Sequence, residues 1–187
     1  MILLISGVLI WSLVHLFKRI SPTSRAMLDT KFGKGPVMGV ISLIFLISIA
    51  MMVFGFRGAE FQPLYKPPVW GVHLNNLMML IALFLMGAGS SKGTARAWFR
   101  HPMLIGFLVW VGAHLLVNGD LSSFILFGGL GIWAIVSILM INMREGAWQR
   151  PTPGPVKGDI KLGIIALVLF AVITTIHYFI GPSPFGG

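Results

Sequence analysis

The sequence predicts an all-α protein, a polytopic membrane bundle of six helices forming one domain over residues 1–187. Three observations carry that reading. Hydrophobic residues make up 56% of the chain and charged residues 10%, with mean hydropathy +0.90, which is too apolar for a soluble domain of this length. Six apolar runs are separated by polar segments rich in Pro, Gly and basic residues. The 14 Lys and Arg fall almost entirely between alternate runs. In a soluble chain a net charge of +9 would point to nucleic acid; here it points to orientation in a bilayer, so no nucleic-acid partner is expected and membrane lipids are.

Each element follows from local signals. The first run, 2–17, has no basic residue before it and Lys18-Arg19 after it. A signal peptide would show the opposite polarity and a small-residue cleavage site, so a retained first helix is expected. Residues 18–36 read as a basic amphipathic loop carrying Lys18, Arg19, Arg25, Lys31 and Lys34. The second span is 37–56, and 57–68 is a Pro-bearing loop with Phe61 and Tyr65. The third span, 70–89, is entered through Gly71-Val72-His73, and 90–100 is polar and basic. Pro102 suits the first turn of the fourth span, 102–117, because the N–H it lacks would have no partner there. Asn118-Gly119 stops that helix and Asp120 is placed to cap the fifth span, 121–143. A Pro/Gly-rich loop, 144–161, leads to the sixth span, 162–180, and a short uncharged tail. The fourth run is short for a hydrocarbon layer of ~30 Å.

Loops one, three and five hold 12 of the 14 basic residues, and loop two holds Arg57 and Lys66. That bias places both termini outside and the three basic loops in the cytoplasm. A weaker pattern is internal. Residues 9–16 and 108–115 share L-x-W-x-x-x-H-L, with Trp11 and His15 in the first copy and Trp110 and His114 in the second. The two copies open successive sets of three helices, as a 3+3 inverted repeat would, and an in-plane axis would then relate His15 to His114.

The chemistry on offer is imidazole. There is no cysteine, which removes disulfides, thiolate metal sites and covalently attached haem together. Five acids give no paired carboxylates for acid–base work, and no H-E-x-x-H, P-loop or dinucleotide fingerprint is present. An ionisable group within a span points to function, because leaving it in lipid is costly. His114 has Gly112 and Ala113 beside it, which lets a large ring approach; its alternative is a hydrogen bond across helices. His15 lies near the inner end of its helix, and its alternative is an interfacial residue beside Lys18-Arg19. His73 begins the third helix on the outer side, and its alternative is an ordinary interface residue; His177 reads as structural. Arg100 and His101 stand at a helix N-terminus that welcomes an anion, a haem propionate first and a lipid head group second; simple capping is the alternative. Neutral imidazoles without thiolates fit b-type haem better than zinc, which needs three or four ligands close together. Met78, Met79 and Met103 are available as axial partners, although most methionines in apolar spans are packing. Trp11, Trp110 and Asn118 join the histidines and Arg100 as candidate cofactor contacts.

Several of these segments resemble one family. His15-Leu16-Phe17-Lys18-Arg19-Ile20-Ser21-Pro22, Arg100-His101-Pro102, Ala113-His114-Leu115-Leu116-Val117-Asn118-Gly119-Asp120 and Leu126-Phe127-Gly128-Gly129 look like the NnrU family over nearly the whole chain. That family is similar to the zeta-carotene isomerases, which share the first-helix histidine, the Gly-Val-His entry and Arg-His-Pro followed by Ala-His. The resemblance implies a multi-pass protein of the bacterial inner (cytoplasmic) membrane holding haem b. Its iron would be ligated by His15 and His114, with His73 in reserve. It also implies a link to denitrification and nitric oxide metabolism, without supplying a reaction. An alternative is haem-dependent cis–trans isomerisation of a carotenoid-like polyene, whose later histidine pair is missing, since 138–143 holds no histidine. A third reading, a membrane methyltransferase, follows from Arg-His-Pro before an apolar helix. It lacks the acidic pair of isoprenylcysteine carboxyl methyltransferases and has only Arg144-Glu145.

Overall fold

A computed structural model of the protein describes residues 1–181; residues 182–187, most of the expected tail, lie outside them. Among the described residues seven longer helices carry the fold: α1 (Ile2–Ile20), α2 (Pro22–Phe32), α3 (Lys34–Arg57), α4 (Gly71–Ala88), α5 (Pro102–Val117), α6 (Leu121–Glu145) and α7 (Val156–Ile180). There is no strand among the described residues. Five of the helices are long and apolar enough to cross a membrane, and α5 is the shorter apolar helix that the sequence led us to expect. The protein is a helical membrane bundle.

The local signals act where they were read. Pro102 occupies the first turn of α5. The Asn118 backbone N–H and side-chain amide both donate to the carbonyl of His114, closing the helix. Asp120 caps α6, accepting from the Ser123 N–H at 2.9 Å and the Ser123 hydroxyl at 2.6 Å. One π-helical turn, Phe124–Gly128, follows within α6. Such turns come from a single extra residue and recur at functional sites. Two boundaries need correction. The first loop holds a helix, α2, started by Pro22 and closed at Gly33, whose φ of 85° suits glycine. The last helix begins six residues earlier than expected, because Pro155 serves as its N-cap and Asp159 stands in its first turn.

The chain forms two compact units, and they are not its two halves. The first comprises Met1–Tyr65 and Asp120–Ile141; the second comprises Lys66–Gly119 and the chain from Asn142 onward. Within the first, α1 packs along α3. Gly55 makes this approach possible, since a Cβ there would run into the Leu4 backbone. Within the second, α4 packs on both α5 and α7. A Cβ on Gly106 would lie 2.7 Å from the Ala82 carbonyl oxygen. Lipid offers little hydrophobic drive for helices to associate, so close contact through small residues does that work.

Candidate functional site

In the first unit, His15 sits one turn from the end of α1. Its Nδ1 donates to the carbonyl of Trp11 at 2.9 Å. A carbonyl can only accept, so the proton is on Nδ1 and the lone pair on Nε2. The imidazole lies in an aromatic box: the ring centroid of Phe45 is 4.0 Å away, that of Trp11 4.2 Å and that of Trp133 4.9 Å. The Trp11 indole N–H is buried with no hydrogen-bond partner among the described residues. Phe45 and Trp133 had no motif to reveal them, since each comes from a different helix.

In the second unit, His114 repeats the arrangement one turn from the end of α5. Its Nδ1 donates to the Trp110 carbonyl at 3.0 Å and the two rings are 4.7 Å apart. The residue lines a narrow cleft with Asn75, Asn76, Met79, Thr174 and His177. These come from the first turns of α4 and the last turns of α5 and α7, so the cleft marks one end of this unit. Its volume of about 50 Å³ admits a few water-sized groups, not a macrocycle. Asn75 holds a buried amide oxygen there without a hydrogen-bond partner among the described residues. His177, read from sequence as structural, shares this cleft, and its Nδ1 donates to the Ile173 carbonyl at 2.9 Å. Spacing along the chain could not reveal that, because His114 and His177 lie on different helices. Of the three methionines considered, Met79 lines the cleft, Met78 packs against Gly112, and Met103 is 60% exposed. His73 is exposed in the first turn of α4 and is not among the residues lining the cleft.

The opposite end of the second unit is a hydrogen-bonded lock. The Asp159 carboxylate, from α7, accepts from the backbone N–H groups of Thr94 and Ala95 at 2.8 and 2.9 Å and from the Thr94 hydroxyl. The Arg150 Nε donates to the Ala97 carbonyl at 2.7 Å. Arg100 donates to the carbonyl of Gly146 at 2.6 Å and stands 3.8 Å from the Glu145 carboxylate. His101 Nε2 donates to the Asn142 amide oxygen at 2.8 Å and forms the N-cap position of α5. The pair expected to meet an anion is thus engaged with the end of α6 and the turn that follows it.

Among the described residues no three His, Cys, Asp or Glu come together as a metal cluster. An ion wrapped wholly by side chains is poorly served here. An iron porphyrin, which brings its own four equatorial nitrogens, would ask only for one or two imidazoles; the donor chemistry of His15 and His114 meets that demand, while the cleft of about 50 Å³ beside His114 does not hold the ring as it stands.

No curated protein matches the chain, and no solved structure matches it. A family model described as NnrU protein matches residues 3–184, a range that takes in His15, Arg100-His101-Pro102 and the Ala113–Asp120 segment. The chain belongs to the NnrU family.

Proposed function

We propose that the protein is a haem-b-binding integral membrane protein acting in nitric oxide or denitrification physiology, in which His15 and His114 are the imidazoles that would hold the iron. One observation supports the reading above others: the same tryptophan–carbonyl–histidine arrangement occurs twice, once in each compact unit. In both copies the Nδ1 proton is held by a backbone carbonyl, as the second shell of a metal-bound imidazole commonly holds it, and Nε2 keeps the lone pair a metal would take. Haem, when bound, would supply a redox-active iron, which could take a small ligand only where one imidazole gives up its place. The chain's own contribution is to fix the tautomer of each imidazole, to keep water away with aromatic rings, and to close α5 directly behind His114 through Asn118.

The test is an absorption spectrum of the purified protein, oxidised and reduced, for the wild type and for His15→Ala and His114→Ala. A Soret band with split visible bands on reduction is expected for the wild type. Haem content or the low-spin signature should be lost in each variant. Absence of haem from a preparation reconstituted with it would overturn the reading. Low-spin haem at full occupancy in both variants would move the ligands elsewhere, with His73→Ala and His177→Ala deciding between the remaining candidates.

A further inference from the structure

The first unit carries a second feature, independent of the histidines. Between α1, α2 and α3 runs a groove of about 540 Å³, within the size range of ligand sites and without polar lining. Val14, Phe17, Leu28, Phe32, Val40 and Ile44 line it, two from each helix. Its third wall is α2, a helix of 11 residues that buries none of them. Such a helix is marginal alone in water and relies on something covering its apolar side chains. Here Met27 and Phe32 are 63% and 55% exposed.

Basic residues adjoin the groove's lining residues along the chain. Lys18 follows Phe17, Lys31 precedes Phe32, and Lys34 stands two residues before Pro36, another lining residue. The Lys31 ammonium lies 5.1 Å from the centroid of the Phe32 ring, so a cation is held directly over the groove's wall. The one acid in this region, Asp29, pairs with Arg25. Lys18, Lys31 and Lys34 are all solvent-exposed. An apolar trough with one ammonium over its wall and two more exposed lysines close by in sequence matches a molecule with long hydrocarbon chains and an anionic head.

We propose that this groove binds an anionic phospholipid, its acyl chains against Val14, Phe17, Val40 and Ile44 and its phosphate between Lys18, Lys31 and Lys34. The lipid then completes the packing of α2, which the protein alone leaves uncovered. Each lysine near a charged membrane surface contributes about fivefold to such binding.

The experiment uses the full chain in detergent, equilibrated with equal amounts of phosphatidylglycerol and phosphatidylcholine and read by native mass spectrometry. The wild type should retain phosphatidylglycerol in preference. Lys31→Gln with Lys34→Gln should lower its retention by about 25-fold, two such factors multiplied, and leave phosphatidylcholine unaffected. Val40→Trp, at a position 58% exposed and so tolerant of a larger ring, should fill the groove and reduce both lipids. Circular dichroism confirms that the variants stay helical. Equal retention of the two lipids by the wild type would overturn the proposal, as would a phosphatidylglycerol preference that survives loss of all three lysines. Displacement of phosphatidylglycerol by squalene, unaffected by the lysine changes, would also overturn it and give the groove to an uncharged polyene. Haem content has no bearing on any of these outcomes.

Discussion

His15 donates from Nδ1 to the carbonyl oxygen of Trp11, four residues back, while its ring lies 4.2 Å from the indole. His114 does the same with Trp110. The bond fixes the tautomer, because only a protonated Nδ1 can satisfy a carbonyl. In protein labelled with ¹⁵N-histidine and kept free of metal, both residues should show the Nδ1–H form at neutral pH. A dominant Nε2–H form at His15 would break the link between this bond and metal-ligand readiness.

The helices were legible in the sequence because hydropathy and breakers act locally. Asp120 caps α6 and Pro102 starts α5 through contacts spanning three or four residues, so their letters suffice. Helix α2 was hidden because none of its residues is buried and its charges resemble those of a loop. Phe45 and Trp133 around His15, and His177 and Asn75 beside His114, were hidden for a different reason. They reach the site by helix packing, which one-dimensional spacing does not encode. The repeated Trp/His motif was visible, and its local geometry recurs, yet the compact units cut across the two sequence halves.

Asp159 holds the turn at Thr94–Ala95 with three hydrogen bonds from across the unit. Asp159→Ala should loosen this turn and raise the rate of tryptic cleavage after Lys92 and Arg96. Asp159→Asn should be intermediate, since an amide oxygen still accepts. Unchanged cleavage in Asp159→Ala would show that the lock is dispensable.

Arg100 has two possible employments, and they separate cleanly. If its bond to the Gly146 carbonyl is its main role, Arg100→Ala should destabilise the cofactor-free protein by about 1 kcal/mol. If it also serves a haem propionate, the variant should lose haem more readily than Asn142→Ala, which removes the partner of His101 alone. Equal haem retention in the two variants would remove Arg100 from the cofactor's surroundings.

The contact of α1 with α3 at Gly55 admits no side chain, because a Cβ would meet the Leu4 backbone, which cannot swing away as a flexible side chain would. Gly55→Ala should cost about 1–3 kcal/mol, read as a lower midpoint in a denaturing-detergent titration. Gly35→Ala is the control, since a Cβ there meets nothing within 4 Å. Equal midpoints for the two variants would mean that the helices part easily at this point.

Orientation is the last expectation and the one the lock supports. Loops three and five carry Lys92, Arg96, Arg100, Arg144, Arg150, Lys157 and Lys161, and the bonds from Thr94 to Asp159 and from Arg150 to Ala97 tie these loops to one end of the second unit. Two loops so joined must lie on the same side of a bilayer. Their basic charge predicts the cytoplasmic side. Loop two, with only Arg57 and Lys66, is then expected to face outside, as is the polar cleft of His114 and His177 at the far end of the second unit. Reporters inserted in loop two and fused after Gly187 should both read as external, and one inserted beside Arg150 as cytoplasmic. Cytoplasmic signals at the first two sites would invert the model. Opposite signals at those two sites would mean that α5, at 16 residues, does not cross the membrane.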